Sequence, residues 1–358
     1  MMSDKKKNPA MQNGPGCPMP VTRHETVQLA HGSGGKMMND LIREMFIDTF
    51  DNPLLRSQED QAIIENGGRR WAFSTDSFVV DPLFFPGGDI GELAVNGTVN
   101  DVSMSGARPL FLSAGFIIEE GFALQELERV TRSMSDAARR AGVAIVTGDT
   151  KVVNKGKGDK LFINTSGLGA IERPFIPQAR HIRPGDKILI NGTIADHGIT
   201  ILSQREGLRF EGAMQSDTAA LNDLIDTVLN AVGDAVHAMR DPTRGGVAAT
   251  LNEFSAAAGV MIRIEEDKLP VRPAVAGACA FLGLDPLYVA NEGKVIMVVA
   301  ADKAEAALEA MRGHSLGRES VILGEVGNEP HTGVMLRTRI GAWRVVDMLV
   351  GEQLPRIC

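Results

Sequence analysis

Apolar residues recur at helical spacing through Leu124, Leu127, Val130, Met134 and Ala138, and Gly142 closes the run, so the pattern predicts an amphipathic helix there. Shorter apolar runs bracketed by Gly, Pro, Asn and Asp read as strands. In the first half these are Thr26–Ala30, Trp71–Ser74, Leu110–Ile118, Val143–Thr147 and Leu161–Ala170. In the second half they are Lys187–Ile194, Val260–Glu265, Val295–Ala300, Val321–Val326, Val334–Thr338 and Trp343–Leu349. Further helices are expected at Met37–Phe50, Gly91–Gly106, His197–Glu206, Ala219–Val232, Val247–Ala258 and Pro273–Leu282. Strands and helices alternating in this way predict an α/β (α+β) fold. Pro174 and Pro177 interrupt the pattern around Glu172–Gln178, which places a domain boundary there. The expected organisation is a disordered leader (1–25), an N-terminal domain (26–172), a C-terminal domain (173–350) and a flexible tail (351–358).

Composition adds exclusions. A chain of 358 residues suits two domains, and 44% hydrophobic with 23% charged residues is enough to build a large core. The net charge of −8, with no basic run beyond Lys5-Lys6-Lys7, argues against nucleic acid as a partner. No apolar stretch nears the ~20 residues of a membrane span, and the leader lacks the apolar core of a secretory signal, so a cytoplasmic protein with no membrane partner is expected. Three cysteines, Cys17, Cys279 and Cys358, are far apart and form no CxxC, so neither a disulfide framework nor a zinc site is expected. Cys279 reads as a small buried helix residue. Cys358 is different. It ends a short tail behind Pro355, where a thiol is expected to be mobile and accessible, a better attachment point than core residue. Eight extended residues reach ~29 Å at most, enough to enter a cleft of the same chain or a partner enzyme.

Four turns and four aspartates carry candidate chemistry. His31-Gly32-Ser33-Gly34-Gly35-Lys36 precedes a helix, where glycine N–H groups can approach an anion; a plain glycine turn is the other reading. It is neither a P-loop nor a dinucleotide fingerprint, since Met37 stands where either pattern needs another residue. Asp76 and Asp149 each follow an apolar strand, and Asp101 lies in a Gly/Ser-rich helical segment beside Asn100. With Asp60 they make a set of carboxylates that would repel one another unless a hard cation such as Mg²⁺ sat between them, though any one of them is an ordinary turn or cap residue. Thr150 and Lys151 continue the turn after Asp149. Asp241-Pro242-Thr243-Arg244-Gly245-Gly246 offers exposed N–H groups and an arginine fork for phosphate, or simply caps a helix. Glu292, in Asn291-Glu292-Gly293-Lys294, is a candidate base or a solvated turn residue.

Together these segments and the terminal Pro355-Arg356-Ile357-Cys358 resemble the HypE family of hydrogenase maturation proteins. That family lies in the ATP-using superfamily of aminoimidazole ribonucleotide synthetase (PurM) and selenophosphate synthetase. The likeness covers Thr26 to Cys358, and the terminal Cys motif is its specific part. It implies a PurM-like architecture whose N-terminal domains pair in a β-barrel at a homodimer interface, with ATP and Mg²⁺ between the halves. It also implies a reaction: the carbamoyltransferase HypF loads Cys358, ATP drives dehydration of S-carboxamide to S-thiocyanate, and a HypC–HypD complex receives the cyanide. Asp60, Asp76, Asp101 and Asp149 match metal positions, and Glu292 matches the base. Lys151 suits stabilisation of the transferring phosphoryl group. His31, Gly32, Gly34, Gly35, Lys36, Asn100, Thr150, Arg244, Gly245 and Gly246 fall in the nucleotide-binding segments. The alternatives are a selenophosphate synthetase-like enzyme, although the His31–Lys36 loop lacks the cysteine many of those carry, and a non-enzymatic thiol carrier.

Overall fold

The computed structural model describes residues 24–351 apart from 209, 211 and 213, together with 357 and 358. Most of the leader, with Cys17, and Pro355-Arg356 of the tail lie outside the described residues. The first half opens with α1 (Lys36–Leu41), which runs through a π-turn at Ile42–Ile47 into α2 (Asp48–Phe50). The strands β1 (Ala62–Asn66), β2 (Arg69–Phe78), β5 (Arg108–Glu119), β6 (Ala144–Val153) and β7 (Leu161–Ile171) then form one sheet, ordered β1-β2-β7-β5-β6. Its pairs are antiparallel except β5–β6. A small ribbon, β3 (Phe84–Phe85) with β4 (Gly88–Asp89), leads into α3 (Ile90–Ser103).

Asp89 caps α3 by accepting hydrogen bonds from the N–H groups of Gly91 (2.8 Å) and Glu92 (3.2 Å). Nearly all of α3 is buried, polar residues included, because it lies between the sheet, α4 (Leu124–Ala141) and the second half. α4 is the expected amphipathic helix. It buries Val130, Met134, Ala137, Ala138 and Ala141 and ends at Gly142 with φ +70°.

The second half builds a seven-stranded sheet ordered β14-β13-β10-β12-β8-β11-β9. Its strands are β8 (Lys187–Ile190), β9 (Val236–Arg240), β10 (Met261–Glu265), β11 (Ile296–Val299), β12 (Val321–Val326), β13 (Gly333–Arg337) and β14 (Trp343–Val345). The helices are α5 (Asp196–Arg205), α6 (Asn222–Val232), α7 (Gly246–Ala258), α8 (Pro273–Leu282) and α9 (Ala304–Gly313). Period-two alternation splits the core. Ile188, Ile190, Ile296 and Val298 share an apolar cluster with α7, whereas Leu189, Met297 and Val299 share one with α6 and α9.

Several elements differ from the sequence expectation. Thr26–Ala30 forms no strand: a 3₁₀ turn spans Leu29–Gly32, and the Gln28 N–H is held by His31 Nδ1 at 2.9 Å. The strand expected to reach Ile194 stops at Ile190, because the Asn191 side chain turns to bond Gly293 O, Leu316 O and the Val295 N–H. β2 and β6 run past their expected ends because their neighbours keep pairing with them, through Asp76↔Thr165 and Gly115↔Asp149. β1, β3, β4, β9 and α9 come in addition to the elements read from the sequence.

Candidate active site

The two halves meet along α3, and its polar face organises the cleft. Asn100 is fully buried; its amide donates to Ala219 O (3.0 Å) and Glu292 O (3.1 Å), and its carbonyl oxygen accepts the Leu221 N–H (2.8 Å). Expected to bind nucleotide, Asn100 spends its hydrogen bonds on the backbone that carries Glu292. One residue on, Asp101 accepts from Ser74 Oγ (2.8 Å), and the same hydroxyl lies 2.8 Å from Asp60 O. Asp60 meets Arg240 of β9 at 3.1 Å, while its second carboxylate oxygen is buried with no hydrogen-bond partner.

Asp60, Asp76, Asp101, Asp241 and Glu292 therefore form a cluster of mutually acting carboxylates. Burial, then the charges of Asp241, Asp76 and Asp60, hold Asp101 well above the usual carboxylate range. Asp60 is raised by burial against the pull of Arg240. Burial is also the main force on Asp241, pushed up to about 7. Glu292, 2% exposed, is raised by burial and by Asp241, Asp76 and Asp217, with Arg244 opposing, and its Oε1 has no partner. Hard oxygen donors crowded and under-satisfied in this way fit a divalent cation. No group of three or more His, Cys, Asp or Glu stands in ready-made metal-ligating geometry among the described residues.

Asp149 does not join this cluster. Across the sheet, Asp76 aligns with Thr165 and Ala114, while Ser77 aligns with Asn164, Gly115 and Asp149. Adjacent rows of a pleated sheet face opposite ways, so Asp76 points to the α3 side and Asp149 to the other. Asp149 is 68% exposed and pairs with Lys151 at 2.6 Å; that hydrogen bond, with one from the Thr150 N–H, holds its carboxyl below the usual range. The placement of Asp76 and Asp149 just beyond their strands is thus corrected: both lie within them. On the far face Asp149, Lys151, Ser77, Val79, Ile117 and Asn164 line a cavity of about 410 Å³.

The glycine turns explain themselves by contact. A Cβ on Gly34 (φ +76°) would fall 2.4 Å from the Arg244 carbonyl carbon, and one on Gly245 (φ +77°) would fall 2.7 Å from Gly34 O. A Cβ on Gly35 would meet Leu349 O at 2.4 Å, the atom that accepts the Lys36 N–H at 2.7 Å. The His31–Lys36 loop and the Asp241–Gly246 turn are pressed together, which sets Arg244 3.7 Å from Asp76. Gly32 is exposed, Lys36 pairs with Asp40 at 3.0 Å, and Gly246 (φ +63°) opens α7 against Leu287 and Val289.

Cys358 departs most from expectation. It is 9% exposed and belongs with Ile357 to the apolar cluster that includes Phe78, Val80, Ile201 and Ala290. Its main-chain oxygen accepts the Val79 N–H at 3.0 Å. Burial pushes the thiol up to about 12; Arg244 opposes this, and Glu292, Asp76 and Asp241 add to it. The terminal thiol therefore lies docked within reach of the carboxylate cluster's field. A short apolar residue before the terminal Cys gives the end of the tail something to bury. Cys279 is buried on α8 as expected.

Sequence reasoning missed Asp241, the first residue of a turn whose Arg and Gly it did use. The signal was the strand before it, Val236–Arg240, which a His and an Arg disguise. It also missed Asp217, whose Oδ1 accepts the Glu292 N–H (3.1 Å) and which pairs with Lys294 at 2.9 Å. Burial favours the neutral acid, but Lys294 outweighs it and holds Asp217 below the usual range.

Residues 58–171 match the N-terminal domain family of AIR synthase related proteins, and residues 183–337 match the corresponding C-terminal domain family. The chain is 54% identical to the carbamoyl dehydratase HypE of Cupriavidus necator over 333 residues, 93% of this chain and 95% of that protein. It superposes on HypE in a HypE–HypF complex with a TM-score of 0.82 at 51% identity, covering 86% of this chain and 99% of that one. Against HypE in complex with ATP the TM-score is 0.78 at 51% identity, covering 93% and 100%.

Proposed function

The chain belongs to the HypE family of carbamoyl dehydratases, and from that premise we propose that it uses ATP to convert a carbamoyl group on Cys358 into a thiocyanate. The observation that carries this reading is the docked terminal thiol, held by the Val79 N–H and lying in the field of Arg244, Glu292, Asp76 and Asp241. The carboxamide oxygen is a poor leaving group. Its attack on the γ-phosphorus breaks the bond to ADP and makes it a phosphate ester; loss of both nitrogen protons then forms the C≡N bond as phosphate departs. Thiocarbamate and ATP become thiocyanate, ADP and phosphate.

Glu292 is the base for the nitrogen protons: its Oε1 is buried with no partner, and a raised pKa makes a stronger base. Arg244 is positioned to meet charge on the phosphoryl oxygens. Asp60, Asp76 and Asp101, joined by Asp241, would hold Mg²⁺, which supplies charge neutralisation at the phosphates. Asn100 and Asp217 act through the Glu292 backbone.

Asp149 and Lys151 act from the other face of the sheet, which is also where a homodimer would form, whereas Thr150 between them faces the α3 side. Phe73, Phe111 and Ile117 are about two-fifths exposed or more, and β6 is an unpaired edge exposed along nearly its whole length. Two such faces would complete the barrel and carry Lys151 to the nucleotide. HypF is the loading partner, as a relative's complex with it supports, and HypC–HypD is the acceptor. No helix among the described residues is long and apolar enough to cross a membrane, and a working thiol suits the cytoplasm.

The test is the mass of the carbamoylated C-terminal peptide before and after ATP-Mg. The wild type should lose the mass of one water. Glu292→Gln should bind ATP yet dehydrate on the order of 10²–10⁴ more slowly. Unchanged peptide in the wild type would leave only a carrier role.

A further inference from the structure

Two hydrogen bonds fix the end of the chain, and one comes from a residue that the dehydration chemistry does not use. His197 Nε2 lies 2.9 Å from Ile357 O, and Nδ1 lies 2.7 Å from Ser216 Oγ. A carbonyl only accepts, so Nε2 carries the hydrogen and donates to Ile357. Nδ1 then accepts from the Ser216 hydroxyl, which in turn accepts the Thr218 N–H at 3.2 Å.

The imidazole sits on a rigid mount. Ala195, at the start of α5, is held at φ +71° with its N–H on Asn291 Oδ1 at 2.8 Å, a conformation that only firm surroundings maintain. The next helical residue, Gly198, lies so close to Val289 that a Cβ would fall 2.5 Å from it, and its N–H bonds Ala290 O at 3.1 Å. Phe85 meets the imidazole edge-on at 5.7 Å. Ser216 is fixed in turn by its N–H to Pro86 O at 2.8 Å.

The segment that carries Ser216 goes on to Asp217, which holds the Glu292 N–H, and to Ala219, which is held by Asn100. We propose that His197, oriented by Ser216, is the positioning residue that docks the C-terminal tail and sets Cys358 in register with Glu292. Burial, which pushes the His197 imidazole below its usual range, keeps it in the neutral form this arrangement needs. His197 touches no reacting atom; it acts on the backbone one residue before the carrier. The inference rests on Cys358 as the carrier, and its test reads the thiol directly so that the two stand or fall separately.

In the full-length, unloaded protein, the rate of Cys358 alkylation by iodoacetamide is followed by peptide mass, with Cys358→Ala as the blank. His197→Ala should label about tenfold faster, which is about 1.4 kcal/mol of docking free energy. His197→Gln, which places a donor near the position of Nε2, should return the rate to within a few-fold of wild type. Ser216→Ala, which releases the tautomer without touching the tail, should fall between them. Single-turnover dehydration of loaded protein should slow in the same order, with ATP affinity unchanged. Labelling of both His197→Ala and Ser216→Ala at the wild-type rate would overturn the proposal, whatever happens to dehydration. If Cys358→Ala still matured a hydrogenase, the carrier reading would fail while the labelling result kept its meaning.

Discussion

Asp241 dominates the charge balance of the cleft at the level of single residues. Its carboxyl is raised to about 7 by burial first and by Asp76 next, with Arg240 and Arg244 pulling the other way. A carboxyl raised on folding stabilises the fold while it stays protonated, and that contribution is lost as pH rises from its unfolded value toward 7. Replacing Asp241 with Asn should therefore stabilise the metal-free protein, with a gap in melting temperature that widens from about pH 4 to about pH 7 and then levels. Added Mg²⁺ should raise the wild-type melting temperature more than the variant's. A gap that stays constant over this range would mean that Asp241 ionises in the native cleft as readily as in the unfolded chain. Residue chemistry was only partly legible in the sequence. Asp76 could be read because it follows an apolar run, Asp101 because it lies in a Gly/Ser-rich segment, and Glu292 because it lies between Asn and Gly. Which face a strand residue takes depends on register, a long-range property, and so Asp149 looked equivalent to Asp76 and is not.

Among the elements, the paired glycine turns make the sharpest contrast. Gly34 sits at φ +76° against the Arg244 backbone, whereas Gly32 has nothing within 4 Å of where a Cβ would stand. Gly34→Ala should cost on the order of 1–3 kcal/mol in urea denaturation, and weaken nucleotide binding by displacing Arg244. Gly32→Ala should change neither by much. Equal behaviour of the two variants would show that the turns are not packed as described. The glycine spacing marked both loops as special from the sequence alone. It did not show that each loop needs its glycine because of the other, since Gly34 and Gly245 are far apart along the chain. The long helices and most strands were legible because their apolar period is local. β9 was not, because its five residues, Val-His-Ala-Met-Arg, are all buried and carry no alternation.

For the whole molecule, the open sheet face leaves Phe73, Phe111 and Ile117 substantially exposed. Phe111→Asp should convert a dimer to a monomer in light scattering and abolish ATP turnover while leaving the fold intact; a wild type that is monomeric at micromolar concentration would remove the basis for this expectation. The tail was legible as a carrier but not as a docked element, because its binding sites, Val79 and His197, come from different halves. Those halves are also joined to each other deep inside. Asn100 of α3 holds Glu292 and Leu221, and Arg240 of β9 reaches back to Glu59 and Asp60. Swinging the lobes apart would strip buried polar groups of partners in the other half, so hinge bending is a costly way to admit cargo. The protein behaves like a vice whose jaws are set at a fixed gap. With the gap held fixed, the end of the chain is the part that would bring the carbamoyl group to Glu292 under the proposed reaction.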